Sequence, residues 1–149
     1  INRRGLHGEA GRQRKAERGQ THEMKSTLLL LALAVTAQAA PPASFFRALH
    51  VVETGGRTGA IIGDQGRALG PLQIHRAYHA DARIGGDYSR CADLDYSKRV
   101  VTAYLQRYAP AAWAAGDVIT LARVHNGGPR GATKPATVAY GDKVARLTK

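Results

Sequence analysis

From position 44 onward the chain alternates short amphipathic stretches with glycine and proline breaks. Phe45, Leu49 and Val52 share one helical face, Ser44 stands where an N-cap belongs, and Gly55-Gly56 stops the helix. Glu53 therefore falls at a helix C-terminus. In AIIGDQGRAL, two short apolar runs flank Gly63-Asp64-Gln65-Gly66, which predicts a small hairpin or extended loop with Asp64 at or near its tip. Gly70-Pro71 opens a second predicted helix carrying Ile74, Ala77, Tyr78 and Asp81, closed by Gly85-Gly86. A third, over about 95–108, has the most regular stripe, Val100, Val101, Tyr104, Leu105 and Tyr108, and Pro110 follows it. Asp117 caps a fourth, with Val118, Leu121 and Val124, that ends at Asn126-Gly127-Gly128-Pro129. Pro135 begins a fifth, with Tyr140, Val144 and Leu147 on one side. Five helices and one short hairpin predict an α+β domain that is predominantly α.

Upstream of these elements the pattern changes. Residues 1–23 have many charges and no apolar periodicity, the composition of an upstream or disordered segment. Residues 24–39 read MKSTLLLLALAVTAQA, a lysine, an apolar run and small residues at Ala37 and Ala39, which is the order of a secretory signal peptide. Its apolar run is about half the ~20 residues a spanning helix needs, so no stable membrane insertion is expected after cleavage. The folded domain is then residues 40–149, one unit with a modest core, expected to be monomeric and to work in the periplasm or outside the cell.

Charge narrows the partners. The whole chain carries 22 Lys/Arg against 11 Asp/Glu, and residues 40–149 retain 15 against 8. A basic surface suits nucleic acid, a membrane or an anionic cell wall. Export favours the wall, and no zinc, zipper or RNA-binding signature supports nucleic acid. Cys91 is the single cysteine, so packing alone must hold the domain.

The candidate chemistry rests on two carboxylates. Glycoside hydrolysis needs one protonated acid to donate to the leaving oxygen and one ionised group to attack or stabilise the sugar cation. Glu53 follows Val51-Val52 against the expected interior, where desolvation favours the protonated form, and Asp64 among glycines should stay wetter. Spacing alone leaves an equally simple reading, a helix-end Glu and a turn Asp.

Three segments taken in order add to that: Glu53-Thr54-Gly55-Gly56; Gly70-Pro71-Leu72-Gln73-Ile74 followed by Tyr78 and Asp81; and His125-Asn126-Gly127-Gly128-Pro129. Together they resemble the invertebrate-type lysozymes, the destabilase family, in its bacterial branch. They are also similar, more loosely, to the motifs of lytic transglycosylases. The resemblance implies a lysozyme-like fold and a muramidase that cuts the bond between N-acetylmuramic acid and N-acetylglucosamine in peptidoglycan glycan strands. It implies Glu53 as general acid and Asp64 as second carboxylate. Gln73 and Ile74 would line the cleft, and Asn126 and Gly127 would form the wall that holds N-acetyl groups. Apart from the resemblance, His125 beside Asn126 reads better as a hydrogen-bonded cleft residue in contact with substrate than as a catalytic base, and Tyr78 is a candidate sugar contact. Thr54 stands for the family's usual serine and keeps the hydroxyl. Gly56, Leu69 and Ala82 stand where cysteines are usual, which puts stability rather than chemistry in question.

Two other functions stay open: a lytic transglycosylase relying on Glu53 alone, and a non-catalytic wall-binding module. No cofactor or metal is called for. His75 and His79 have the i, i+4 spacing of a metal pair but lack a third ligand and an intervening Glu. Tyr78, Tyr104, Tyr108 and Tyr140 sit at helical spacings that suit core packing, with one or two free to stack on sugar. Trp113 is expected to cap the core, and Cys91 to be a packing residue.

Overall fold

In a computed structural model the chain is described over residues 40–149; the expected upstream segment (1–23) and signal peptide (24–39) lie outside the described residues. The helices are α1 (Ala43–Thr54), α2 (Arg76–Ala82), α3 (Leu94–Tyr108), α4 (Pro110–Ala115), α5 (Val118–Gly127) and α6 (Val138–Thr148). Three two-residue strands, β1 (Ile62–Gly63), β2 (Ala68–Leu69) and β3 (Ile74–His75), form an antiparallel sheet in the order β1-β2-β3 between α1 and α2. The α+β, mainly helical class read from the sequence is the class observed. Among the described residues, no helix is long and apolar enough to cross a membrane.

The α1 terminus follows its sequence signal. Gly55 adopts φ +65°, and the N–H groups of Gly55 and Gly56 donate back to the carbonyls of Val51 (2.9 Å) and His50 (3.2 Å). These bonds satisfy orphan carbonyls of the last turn and stop the helix directly after Glu53 and Thr54. Ser44, by contrast, is not the cap. It lies inside the first turn, and its hydroxyl donates to the Thr148 carbonyl at 2.9 Å, pinning α1 to the end of α6. Asp93 and Asp117 do cap α3 and α5, accepting from the N–H groups of Tyr96 (2.7 Å) and Thr120 (3.1 Å).

The second helix starts later than its periodicity predicts. Gly70 (φ +81°) and Gln73 (φ +48°) bend the chain into a turn closed by the Gln73 N–H donating to the Gly70 carbonyl at 3.1 Å. Ile74 and His75 then pair with Leu69 and Ala68, so their backbone groups enter a strand ladder and α2 begins only at Arg76. Pro71 is part of this buried turn rather than of a first helical turn. The alanine-rich stretch around Trp113 forms the short helix α4, opened by Pro110. Leu147, expected on the core side of α6, is 41% exposed; Val144 makes that contact instead.

The centre of the fold is α3. Val100, Val101 and Leu105 are fully enclosed with Phe45 and Leu49 of α1, Leu121 and Val124 of α5, and Val144 of α6. Burying such a side chain is worth about 1.5–3 kcal/mol, so a pair of them matches the ~2–4 kcal/mol of one disulfide. Cys91 belongs to this core, and burial pushes its thiol up to about 11, which makes it a packing group at neutral pH.

Gly70 is irreplaceable on two counts. A Cβ there would meet the Cys91 carbonyl oxygen at 1.7 Å, a backbone atom, and the residue needs a left-handed φ. Gly70→Ala should lower the denaturation midpoint by the equivalent of about 1–3 kcal/mol or more, read by urea unfolding; an unchanged midpoint contradicts the close approach.

Candidate active site

The last turn of α1 delivers Glu53 into a cleft of about 640 Å³, whose walls also carry Asp64, Gln73, Tyr78, His125 and Asn126. A pocket of this size with a few convergent polar groups is the usual form of a ligand site. Six of the eight residues singled out from the sequence thus share one cavity. Ile74 does not: it is fully buried and faces the core, so it supports the cleft without lining it. Gly127 does not either; a Cβ on it would meet Thr137 Cγ2 at 2.6 Å, and Gly128 and Pro129 form that part of the wall.

The Glu53 carboxylate is 17% exposed and is held from two helices. Tyr140 of α6 donates its hydroxyl to Oε1 in a short hydrogen bond. His125 of α5 brings Nε2 to 3.4 Å from the same oxygen, a weaker contact. On its far side His125 Nδ1 lies 3.0 Å from the Tyr78 hydroxyl. A carboxylate only accepts, so Nε2 carries a hydrogen toward Glu53, and Nδ1 pairs with the Tyr78 hydroxyl. The Tyr78 ring stacks on Tyr104 at 3.5 Å between centroids and 14° between planes, which fixes its direction.

Thr54, next along α1, is buried. Its hydroxyl lies within 3.2 Å of the His50, Arg57 and Pro71 carbonyls, joining the helix end to the 70–73 turn. That contact explains why a hydroxyl is needed at this position. Gln73 completes the brace: its Nε2 donates to the Gly70 carbonyl (2.9 Å) and more weakly to Ile61 (3.3 Å). Its Oε1 occupies the space where a Cβ on Gly63 would be, 1.7 Å away. Gly63 is therefore what admits Gln73 to the wall.

Asp64 opens the turn between β1 and β2, as the hairpin pattern predicts. It and Gln65 both take positive φ, 46° and 55°, a conformation Asp tolerates better than most residues. Its carboxylate is 41% exposed; Oδ1 sits 2.7 Å from Arg67 Nη2 and Oδ2 3.2 Å from His75 Nε2. His75 and His79 diverge, since His79 Nε2 pairs with the Tyr96 hydroxyl at 2.8 Å. Among the described residues, no group of three or more His, Cys, Asp or Glu side chains converges as a metal site.

Burial pushes the Glu53 carboxyl up, yet the hydrogen bond and charge of His125, the Tyr140 hydroxyl and the charge of His75 together outweigh it. The net direction is down. This corrects the expectation that the apolar interior alone would hold Glu53 protonated: the interior at this point is not apolar, because two polar side chains from α5 and α6 reach it. Tyr140 pays the reciprocal effect, pushed far up by burial and by the adjacent carboxylate. Its role was hidden because it lies 87 positions from Glu53 at an ordinary helical spacing. His75 as the partner of Asp64, and Asp81 as a further carboxylate in the cleft, were also missed as site residues.

Comparison with known proteins gives a consistent picture. The chain is 40% identical over 84 residues to the lysozyme of Ostrea edulis, covering 53% of this chain and 61% of that protein. It is 34% identical over 92 residues to invertebrate-type lysozyme 6 of Caenorhabditis elegans, covering 54% and 67%. The lysozyme of Meretrix lusoria is 35% identical over 83 residues, covering 54% and 68%. In its crystal structure with Aeromonas hydrophila PliI, that lysozyme fold aligns with a TM-score of 0.59 at 29% identity, over 71% of this chain and 89% of that one. The chain spans 61%, 43% and 58% of the Ostrea edulis, Crassostrea virginica and Magallana gigas lysozymes. No family model matches.

Removing the Tyr140 hydroxyl takes away one downward influence on Glu53 and leaves burial in place. In Tyr140→Phe the carboxyl should therefore titrate at higher pH than in the wild type, followed by ¹³C NMR of the Glu53 carboxyl. In the wild type the lowered value also links to stability: the contribution is present above the unfolded-state value and is lost as pH falls through the folded one. A Tyr140→Phe midpoint equal to or below the wild type's would contradict this balance.

Proposed function

The chain belongs to the invertebrate-type lysozyme family, and on that footing we propose that it is a muramidase that hydrolyses the β-1,4 bond between N-acetylmuramic acid and N-acetylglucosamine. The observation that carries this reading is one mostly buried carboxylate, Glu53, sharing a cleft with a wetter one, Asp64. Glu53 gives its proton to the glycosidic oxygen as the C–O bond breaks. Asp64 stabilises the oxocarbenium charge or captures the sugar carbon, and Glu53, now a carboxylate, takes a proton from the incoming water. Gln73 and Asn126 offer polar groups to the sugar, and Tyr78 and His125 hold the carboxylate's side of the cleft.

Protonation of Glu53 has to be reached against its lowered starting point. A glycan strand in the cleft expels water, and desolvation is the largest influence on this carboxyl and acts upward. Binding substrate therefore moves Glu53 toward its acid form. Activity is lost as pH rises through the value of the acid, so the alkaline limb of kcat, set in the complex, should lie at higher pH than that of kcat/KM, set in the free enzyme. Coincident limbs would reject this account.

A second reading has its own support. Both Asp64 oxygens are engaged, by Arg67 and by His75, which leaves the carboxylate better suited to stabilising charge than to forming a bond. In a lytic transglycosylase, the muramic acid 6-hydroxyl attacks its own C1, closing a 1,6-anhydro ring and consuming no water. Mass spectrometry of the digest separates the two readings, since anhydro-muropeptides form only in the second.

We also propose that residues 24–39 direct export and are removed, which puts the enzyme on the wall side of the membrane. Glu53→Gln should reduce clearing of purified sacculi by about 10²-fold or more with cooperative unfolding intact. Clearing by Glu53→Gln at the wild-type rate would reject Glu53 as the acid, whereas wild-type protein that binds sacculi without clearing them would remove the enzyme assignment and leave a wall-binding module.

A further inference from the structure

Beside the cleft lies a second groove, of about 370 Å³, that the chemistry above does not use. Ala68 of β2 lines both, so the two lie side by side at the sheet. Neighbours in sequence divide between them: His75 faces the cleft and Arg76 the groove, Asp64 the cleft and Ile62 the groove. The small sheet is thus the wall between two binding surfaces.

The groove is chemically mixed. Ile62, 64% exposed, and Leu69 supply apolar surface. The Arg76 guanidinium lies 4.4 Å from the centre of the Tyr88 ring, a cation–π contact. Tyr88 is itself fixed, its hydroxyl donating to the Ile74 carbonyl at 2.6 Å. Arg76 and Asp87 both line the groove, and among the described residues neither takes part in an ion pair. A prepositioned cation and an unpaired anion, set beside apolar surface, match a ligand that carries carboxylates, an ammonium and small methyl groups.

A glycan strand of peptidoglycan has such a group attached. Each muramic acid bears, through its lactyl ether, a short peptide stem of alanines, free carboxylates and a diamino acid. We propose that the groove binds this peptide stem, with Arg76 on a stem carboxylate, Asp87 on the diamino-acid ammonium and Ile62 and Leu69 against the alanine methyls. The proposal rests on the muramidase reading: a muramic acid held near Asp64 has its stem beside the groove, because Ala68 lines both surfaces. The site then distinguishes stem-bearing wall from bare glycan of the same backbone.

The test compares two substrates, stem-bearing peptidoglycan fragments and the same strands stripped of stems by an amidase. Arg76→Ala should lower kcat/KM on the stem-bearing strands by roughly tenfold, the scale of one lost charge-assisted hydrogen bond, and leave the stripped strands within about twofold of wild type, which also reports intact folding. Asp87→Asn should show the same selectivity in smaller measure. Equal losses on both substrates would make the groove a further sugar subsite, and no loss on either would leave it without a role; each overturns the proposal. A second measurement does not depend on cleavage. The soluble tetrapeptide L-Ala-γ-D-Glu-diaminopimelyl-D-Ala, titrated into the wild-type protein, should shift the NMR signals of Ile62 and Tyr88 and fail to do so in Arg76→Ala. If the wild type cleaves neither substrate, the muramidase reading fails, and this titration alone decides the groove: shifts support stem binding, and their absence rejects it.

Discussion

A carboxylate with little access to water is costly unless its oxygens are met by donors, and Glu53 is met from two directions. Tyr140 arrives on α6 and His125 on α5, while Glu53 itself ends α1. These are the helices whose apolar faces close the core through Leu49, Leu121, Val124 and Val144. The polar contact and the hydrophobic packing therefore constrain each other. A shift of α6 that repacked Val144 would withdraw the Tyr140 hydroxyl, and loss of that hydroxyl would leave a charge with one weak partner. Tyr78, locked on Tyr104, extends the same constraint to α2 and α3.

The arrangement also sets the reactivity of the acid. An apolar pocket would favour the protonated acid, whereas the donors reaching in from α5 and α6 favour the Glu53 anion in the open cleft. Asp64 faces a different balance, with an exposed carboxylate on a bent hairpin and the Arg67 guanidinium and His75 ring at its oxygens. The two acids differ because one is presented by a helix end inside the packed core and the other by a strained turn on a three-stranded sheet.

Much of this was legible in the chain. The α3 stripe, the Asp117 cap of α5, the Gly55 stop that places Glu53, and the Gly63–Gly66 turn that presents Asp64 all follow from local chemistry acting within a few residues. The misreadings occur where distant contacts decide. Ile74 has helical spacing with Tyr78, but pairing with Leu69 draws it into a strand and buries it. Ser44 has cap chemistry, but the nearby Thr148 carbonyl takes its hydrogen bond. Tyr140 carries no local mark of its role, because what makes it a site residue is the packing of α6 against α1.

Cys91 offers a last consequence. Its sulfur has no access to solvent, and it belongs to the same cluster as Val100 and Leu105. Modification of that thiol by an alkylating reagent requires the surrounding segment to swing open, and its raised pKa slows reaction further in the closed state. The molecule thus carries a single built-in reporter of its own breathing: the rate at which an added thiol reagent is consumed counts excursions out of the native packing, residue 91 by residue 91, with no label to introduce and no competing sulfhydryl to subtract.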